Sequence, residues 1–374
     1  MMLPSLTWGT WDDAEWALAS RVDTKEASNN SNLATSTISQ RSNKKLRKKG
    51  SRNSQLWFEE LLDRVESTSI GRSKSIYHCN PLNCMHNLQE TVETKQQGIP
   101  WAKLPSGIHP RDGKLPAERV LNKQLQVDNL VVFLRRILRS GDVVVEFCAG
   151  SGYVALPLAC LFPECTFVLL DKKESSLSIA KERIAAARLT NVNIFCGYIQ
   201  DFDKSFDVGV ALHACGEATD LVMQKCLVEQ AAYVLAPCCV GKIKLSGLAY
   251  PRSAAMAHEL SRTEYEVLAK AADFGHLSST SVALSDINRR RRRCKTLLES
   301  DRNMCAEEAQ YDTFMFVMYP STATPKNDVL VGIPRGNADR SFQLECEATL
   351  STEALVLKAT HSIIPLAPRC STSY

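Results

Sequence analysis

Short apolar runs alternate with segments of helical periodicity through the middle of the chain. Apolar runs of strand length occur at residues 143–147, 166–170, 192–196, 206–212 and 232–236. Apolar positions at helical spacing occur at residues 117–139, 152–161, 175–188, 220–230 and 261–273. Apolar strands joined by helices form parallel sheets that are covered on both faces. The pattern therefore predicts an α/β fold, with Thr219 capping the fourth helix and Pro157 kinking the second.

The pattern changes near the end of this periodic region. Two further apolar runs, residues 313–319 and 329–333, are separated only by residues 320–328, which leave no room for a helix. Such neighbours pair as an antiparallel hairpin. The predicted fold class is α/β, a mainly parallel, doubly wound sheet ending in an antiparallel hairpin, and this arrangement resembles the Rossmann-like fold of class I methyltransferases.

Composition divides the chain into three regions. All five tryptophans precede residue 102, and residues 27–55 are rich in Ser, Asn, Lys and Arg. Because such a stretch has few apolar side chains to bury, we expect residues 1–99 to be mostly flexible. We expect a folded domain at residues 100–335 and a C-terminal tail at residues 336–374, where no clear periodicity continues.

The most specific segment lies at the end of the first predicted strand. Glu146 interrupts the apolar run, and Gly150, Ser151 and Gly152 follow it. A tight turn beside a ligand needs glycine, and this spacing also matches a dinucleotide-binding turn with Asp171 as the ribose ligand. An acid at this turn would repel the pyrophosphate of NAD, whereas S-adenosylmethionine carries a sulfonium and an ammonium group but no phosphate. We therefore expect Glu146, the glycine turn and Asp171 to bind S-adenosylmethionine.

Polar residues also follow the third and fourth predicted strands. Open parallel sheets bind ligands at the carboxyl ends of their strands, so these residues are further candidates. Gln200 and Asp201 would meet the adenine amino group, although they also fit an ordinary turn. The candidate catalytic residues lie after the fourth strand, where the acceptor of a methyl group from S-adenosylmethionine would bind; we call this the acceptor side. They are His213, Cys215 and Asp220, with His213 or Asp220 as the base if the methyl acceptor is a hydroxyl group.

Two cysteine-containing segments admit several explanations. Residues 237–242 follow the fifth strand, where tight packing, a thiol nucleophile, or metal ligation together with His213 and Cys215 all fit. No Cys-x-x-Cys pair supports zinc there, so we expect no metal site. A second grouping, His78-Cys79 and Cys84-x-His86, lies in an irregular segment and supports no specific prediction.

Charge and cysteine content indicate the cellular compartment of the protein and the kinds of partner that it could bind. The net charge is only +4, but basic residues crowd into two blocks, from Lys44 to Lys49 and from Arg289 to Arg293. Such blocks are usually solvated, and less often they grip nucleic-acid phosphates or direct import, so the solvated and the nucleic-acid interpretations both stay open for these two blocks. Several of the 14 cysteines lie in apolar patterns, and no apolar run approaches about 18 residues. We therefore expect a reduced, soluble protein, cytoplasmic or also nuclear, with no membrane contact and no specific protein partner.

Three of these segments together resemble a known family. Residues 146–152 (Glu-Phe-Cys-Ala-Gly-Ser-Gly), 212–220 and 237–241 are similar to the methyltransferase domain of glutathione S-transferase C-terminal domain-containing proteins. Flanking similarity occurs at residues 104–105, 115–119, 123–126 and 325–328, so that it covers about residues 100–335. The His-x-Cys-Gly-x-Ala-Thr-Asp segment is also shared, more loosely, with eukaryotic tRNA 2′-O-methyltransferases. The resemblance implies S-adenosylmethionine as cofactor and, less directly, an RNA acceptor.

The sequence thus predicts a methyltransferase that uses S-adenosylmethionine and acts on RNA at an oxygen or nitrogen atom. Two other interpretations stay open. A non-catalytic binding protein of the same fold would explain why no Asn/Asp-Pro-Pro-Tyr motif, the usual signature of amino-group methyltransferases, occurs. An NAD-dependent oxidoreductase would use the same glycine turn, but Glu146 and the terminal hairpin disfavour it.

Overall fold

The computed structural model describes residues 56–68, 76–82, 98–241, 243, 246–273, 286–336, 340, 342 and 349–351. The chain divides into two units, Met1–Thr68 and Ser69–Tyr374. In the first unit, residues 56–67 form a helix. The expected basic stretch, including the block from Lys44 to Lys49, lies outside the described residues, as does most of the expected tail.

The second unit is built on one mixed sheet. Its strands are β1 Ile76–His78, β2 Val143–Phe147, β3 Thr166–Asp171, β4 Val192–Cys196, β5 Val208–Leu212, β6 Ala232–Ala236, β7 Tyr311–Val317, β8 Asp328–Pro334 and β9 Thr349–Ser351. Their order across the sheet is β4-β3-β2-β5-β6-β8-β7-β1-β9. Strands β2 to β6 are parallel, β8 runs antiparallel to both β6 and β7, and the hairpin pairs Phe314 with Val331. The predicted parallel sheet with an antiparallel end is confirmed.

Two strands of the sheet lie outside residues 100–335. β1 pairs with β7 in parallel, and β9 pairs with β1 in the antiparallel direction. Each has only three residues, which is too short for a periodic signal in the sequence. Tyr77 in β1 is fully buried and donates a hydrogen bond to Asp328 in β8, so the added edge is joined to the sheet by side chains as well.

Helices precede or connect the strands from β2 to β7. They are α1 Ala117–Ile137, α2 Ala155–Leu161, α3 Glu174–Ala187, α4 Glu217–Glu229, α5 Ala254–Glu259, α6 Arg262–Ala272 and α7 Asp286–Glu308. The predicted kink at Pro157 is wrong, because α2 begins at Ala155 and its first-turn N–H groups have no helical partner to lose. Thr219 lies inside α4 rather than at its cap; its hydroxyl donates to the Ala214 carbonyl.

α7 is the long helix that the apolar pattern did not predict. It contains the block from Arg289 to Arg293 and is polar along most of its length. Its buried residues include charged ones: Lys295 pairs with Asp328, and Arg302 pairs with Asp220 in α4. Arg292 is held by Asn327 and Asp328, so at least one arginine of the block belongs to the interior rather than to a solvated patch.

The core lies on both faces of the sheet. Val144 of β2 packs with one buried cluster, and Val145 and Phe147 pack with the other, as expected for alternating side chains of a strand buried on both sides. Within the part of the chain that the structure describes, no helix is both long and apolar enough to cross a membrane. Strands β3 and β4 lie on one side of β2, whereas β5 and β6 lie on the other. The order in which strands are added to the sheet therefore reverses between β2 and β5. Parallel sheets bind ligands beside this switch point.

Candidate active site

Glu146 fixes the turn that joins β2 to α2. Its two carboxylate oxygens accept hydrogen bonds from the backbone N–H groups of Val154 (3.2 Å) and Ala155 (2.7 Å). The side chain is only 3% exposed, and this burial raises the pKa of Glu146 to about 7 despite the two N–H donors. A carboxylate therefore already occupies the N-terminus of α2, where a dinucleotide-binding turn would place a phosphate.

The glycine turn is tied to the end of the neighbouring strand β3. The Gly150 N–H donates to one oxygen of Asp171 at 2.8 Å, and the Lys173 N–H donates to the other at 2.9 Å. Gly150 and Gly152 both have positive φ, +56° and +77°. A Cβ on Gly152 would lie 2.6 Å from the Leu169 side chain, whereas one on Gly150 would meet open space. Space for a ligand therefore exists over Gly150, with the Asp171 carboxylate beside it.

Arg183 holds the same turn from behind. This buried guanidinium, on α3, donates to the backbone oxygens of Ser151 (2.6 Å), Gly107 (2.7 Å) and Ile108 (2.8 Å). It also lies over the ring of Tyr153, 5.1 Å from the centroid. Apolar periodicity carries no signal for Arg183, because a charged residue on the buried side of a helix interrupts that periodicity instead of extending it. Ser151, predicted to contact the cofactor, is buried and supplies its carbonyl to this contact.

The predicted adenine-side residues lie at the end of β4. Gln200 and Asp201 form part of a short 3-10 helix, Ile199–Asp201, and both are exposed. Asp201 accepts a hydrogen bond from the Tyr198 N–H, and the Gln200 carbonyl accepts one from Lys225. Tyr198, which the sequence does not single out, is 61% exposed at the same strand end. These side chains are accessible to a ligand. None of the described contacts involves the side-chain amide of Gln200.

His213 stands at the end of β5, on the acceptor side. Its backbone has a φ of +69°, and its N–H donates to the Ala236 carbonyl on β6. The imidazole Nε2 lies 2.8 Å from Oε1 of Gln126, whose amide nitrogen donates to the Ala323 carbonyl. Because that amide orientation leaves an oxygen facing Nε2, the ring carries its proton on Nε2 and keeps the Nδ1 lone pair. Burial and nearby cations lower the pKa of His213 to about 4, so the ring is neutral at pH 7.

Three cysteines converge beside His213. The Sγ atoms of Cys215, Cys238 and Cys239 all lie within 4.8 Å of one another, and Cys215 and Cys238 are 2.9 Å apart. Lys326, from the segment before β8, lies 3.0 Å from the Cys239 sulfur. The structure thus brings Cys215, a predicted catalytic residue, together with the pair after β6, for which the sequence alone supports several explanations.

The structure does not leave Asp220 free to act as the base that the sequence predicts. It is 1% exposed, and Arg302 contacts both of its oxygens at 2.8 and 2.9 Å. The Tyr250 hydroxyl donates a further hydrogen bond at 2.9 Å. The short sequence separation of residues 213 and 220 suggests a shared site. However, Asp220 lies within α4, and its oxygen atoms accept hydrogen bonds from buried side chains. His78, of the second cysteine–histidine grouping, packs against Phe314, and Cys84 and His86 lie outside the described residues.

Basic side chains surround the acceptor side. Lys123, Arg119 and Lys326 each act electrostatically on His213, and Lys123 also acts on Glu146. The helical pattern predicts that Lys123 lies on the surface of α1, but burial lowers the pKa of this amine to about 8. The amine lies over the Tyr153 ring, 5.2 Å from the centroid. Since Lys123 and Gln126 lie on one face of α1, a test for polar residues at helical spacing would have found them.

Comparison with known proteins finds similarity in the part of the chain that contains these residues. A family model described as "Methyltransferase domain" matches residues 122–246. The glutathione S-transferase C-terminal domain-containing protein of Xenopus laevis is 37% identical over 238 residues, which cover 63% of this chain and 38% of the relative. The human protein of that name is also 37% identical and is covered over 37% of its length. The chain therefore spans less than two fifths of these two relatives.

Two more distant matches are, by name, a methyltransferase and a pre-rRNA processing protein. Ribosomal RNA small subunit methyltransferase G of Lachnoclostridium phytofermentans is 24% identical over 149 residues, covering 40% of this chain and 57% of that protein. Among solved structures, the Methanococcus jannaschii fibrillarin pre-rRNA processing protein aligns over 53% of this chain and 69% of its own, at 9% identity. Its TM-score is 0.34, which is too low to indicate a shared function. The predicted resemblance is confirmed: residues 122–246 match the methyltransferase domain model, they lie in the mainly parallel sheet with its antiparallel end, and the chain is similar in sequence to the glutathione S-transferase C-terminal domain-containing proteins.

Proposed function

We propose that this chain transfers a methyl group from S-adenosylmethionine to RNA. One observation carries the choice of donor: the Glu146 carboxylate occupies the N-terminus of α2. In dinucleotide-binding proteins that helix end holds the pyrophosphate through free N–H groups. Here those groups are satisfied by an acid, and a phosphate would meet a carboxyl group instead. A donor without phosphates fits this turn, and NAD does not.

The remaining parts of the donor are matched by nearby groups. The Asp171 carboxylate lies at the end of β3 beside Gly150 and can accept hydrogen bonds from ribose hydroxyls. Gly150 leaves open space over the turn for the amino-acid portion of the donor. The exposed groups after β4, including Tyr198 and Gln200, are available to the adenine. Methyl transfer is an in-line displacement, so holding donor and acceptor in line supplies most of the catalysis.

The RNA acceptor is supported by charge and by similarity. Lys123, Arg119 and Lys326 make the acceptor side electropositive, which suits a phosphate backbone. A relative named for ribosomal RNA methylation, and the looser resemblance to tRNA 2′-O-methyltransferases, favour the same substrate class. For a ribose hydroxyl, a proton must leave as the methyl group arrives, and His213, with its Nδ1 lone pair, is the candidate acceptor for that proton.

Donor binding is tested first, by titration calorimetry on the full chain. Wild-type protein should bind S-adenosylmethionine, and Asp171→Ala should bind it at least about tenfold more weakly, because ribose hydroxyls and two backbone N–H groups lose their acceptor. Asp203→Ala, which removes an exposed acid from the loop after β4, is the matched control and should bind normally. Binding of NADH in place of S-adenosylmethionine would overturn the choice of donor.

Methyl transfer is tested next, with methyl-labelled donor on total RNA and, separately, on protein extract. Label should enter RNA, and His213→Ala should lower the rate by about 10²–10⁴-fold while donor affinity stays normal. His258→Ala, an exposed histidine of α5, serves as the control. Label in protein alone would reject the RNA acceptor. Donor binding with no transfer to either extract would favour the non-catalytic binding protein.

A further inference from the structure

The geometry points to a zinc(II) site formed by Cys215, Cys238 and Cys239. The three sulfur atoms lie within 4.8 Å of one another at the carboxyl ends of β5 and β6. Tetrahedral zinc with Zn–S bonds of about 2.3 Å holds its sulfur ligands about 3.8 Å apart. A single ion can therefore contact all three sulfurs after small side-chain movements. Thiolates are soft ligands and favour zinc over magnesium or calcium.

The backbone around the three cysteines is already fixed. The Gly216 N–H donates to the Cys239 carbonyl at 2.7 Å, which ties the loop after β5 to the loop after β6. The N–H groups of Val240 and Gly241 donate to the Asp273 carboxylate at 2.9 and 3.0 Å. Supporting hydrogen bonds of this kind hold metal ligands in place and are part of a metal site. The cluster is thus supported by a hydrogen bond between the two loops and by Asp273, just after α6.

Charge balance also fits a divalent ion. Three thiolates and one zinc(II) ion carry a net charge of −1, and the Lys326 amine, 3.0 Å from the Cys239 sulfur, offsets it. Lys326 is itself near Asp273, at 3.9 Å, so its position does not depend on the metal. A disulfide between Cys215 and Cys238 would use only two of the sulfurs and would leave Cys239 and Lys326 without a role.

The site would have one open position. Among the described residues, no other histidine, cysteine or carboxylate atom joins this group of three. Cys215 is exposed, so the open side can be reached from solvent. Zinc with three protein ligands and one open position binds water or a substrate atom, and it lowers the pKa of what it binds. Activation of an acceptor atom here would rest on the proposed methyl transfer, whereas zinc binding itself would not.

Metal content tests the site directly. Full-length protein, reduced and loaded with zinc, is dialysed against metal-free buffer and analysed by plasma mass spectrometry. Wild type should keep about one zinc per chain, and Cys238→Ser/Cys239→Ser should keep at least about tenfold less. The control is Cys160→Ser/Cys305→Ser, two half-buried cysteines outside the cluster, which should keep zinc like wild type. X-ray absorption on the wild type should show three sulfur ligands at about 2.3 Å and one lighter atom.

Several results would overturn the zinc site. They are absence of zinc from the wild type, equal zinc loss in both double variants, retention of copper or iron in its place, and a molecular mass lower by the two hydrogens lost in a Cys215–Cys238 disulfide. Calorimetry with S-adenosylmethionine on the same samples separates this test from the proposed function. Normal donor binding without zinc would contradict only the metal site. Retained zinc without donor binding would contradict only the assignment of S-adenosylmethionine as the donor. Thermal melts of each variant show whether a loss of zinc reflects misfolding.

Discussion

At the scale of single residues, the partners of a carboxylate decide what it can do. Glu146 and Asp220 are both buried, and both were candidates for direct roles in the site. Glu146 accepts two backbone N–H groups and shapes the turn on which the donor would lie. Asp220 is enclosed by Arg302 and Tyr250 and belongs to the interior. Asp171 alone combines an anchoring contact with partial exposure, which leaves it able to meet a ligand.

Asp220→Asn should lower the free energy of unfolding by about 3–5 kcal/mol, because it leaves the buried Arg302 without its main counter-charge. Urea denaturation measures this loss. Asp312→Asn breaks an exposed ion pair with Arg335 and should cost at most about 1 kcal/mol. If Asp220→Asn instead kept its stability and lost methyl transfer, a catalytic role for Asp220 would have to be restored.

Stability should also depend on the protonation of Glu146. Unfolded glutamate titrates near about pH 4.3, and burial raises the pKa of Glu146 in the folded state to about 7. The folded state therefore binds this proton more tightly, so its contribution to stability is full below about pH 4.3 and is lost as pH rises toward 7. Glu146→Gln removes the titration, although its amide must then face an N–H group.

The measurement is the difference in unfolding free energy between wild type and Glu146→Gln across this pH range. The advantage of the wild type should shrink as pH rises, by about 1–3 kcal/mol in total. A difference that grew with pH would show that the N–H groups of α2 stabilise the carboxylate more than burial destabilises it.

At the scale of elements, the loops at the strand ends are held by side chains from other helices. Arg183 of α3 binds the donor turn and the segment before α1 through three carbonyls. Gln126 of α1 orients His213 after β5. Asp273, just after α6, holds the loop that carries Cys239. Each of these hydrogen bonds joins parts of the chain that are far apart in sequence, so the site depends on the packing of helices against the sheet.

Arg183→Lys should weaken binding of S-adenosylmethionine and lower stability, although charge is kept. One amine cannot reach all three carbonyls, and each buried carbonyl left without a partner costs about 1–3 kcal/mol. Arg188→Lys, at the exposed end of α3, is the matched control and should behave like wild type. Calorimetry and thermal melts read the two effects. Equal behaviour of both variants would mean that Arg183 does not fix the donor turn.

At the scale of the whole molecule, charge is distributed in two ways. Inside, a chain of buried ion pairs runs along α7 through Lys295, Glu299 and Arg302, and it joins α4 to β8. Along the sequence, basic residues concentrate in the block from Lys44 to Lys49, which is not among the described residues, and in the block from Arg289 to Arg293. Arg289 is exposed, whereas Arg292 is held by Asp328. The second block is therefore shared between the interior and the surface.

RNA affinity should fall steeply with salt if the first basic block grips phosphates. Changing Lys44, Lys45, Lys48 and Lys49 together to Gln should flatten the slope of log affinity against log salt, by about 0.7 for each phosphate that is no longer neutralised. Donor affinity should not change. The control variant has Gln in place of four other exposed lysines, Lys103, Lys181, Lys204 and Lys270. The two variants then have the same net charge. Equal slopes for the two variants would assign the block to solubility or import.

Much of the sheet could be predicted because its signals are local. Each apolar run of β2 to β8 and each of the helices α1 to α4 and α6 carries its periodicity within a few residues, and the glycine turn is read from adjacent positions. The missing elements lack such a signal. β1 and β9 have three residues each, and α7 buries charges where the pattern expects apolar residues. Lys295 and Arg302 are buried only because Asp328 and Asp220 meet them, and those partners lie on other elements.

The sequence by itself determined the parallel sheet, its antiparallel end, the donor turn and the strand ends at which functional residues lie. Those features follow from short-range periodicity and from the backbone freedom of glycine. Tertiary structure alone decided which of those residues are available. It enclosed Asp220, set Gln126 against His213, placed Arg183 behind the turn and brought Cys215 to the Cys238–Cys239 pair. Burial and partner choice depend on the packing of distant segments against one another, and no local pattern encodes them.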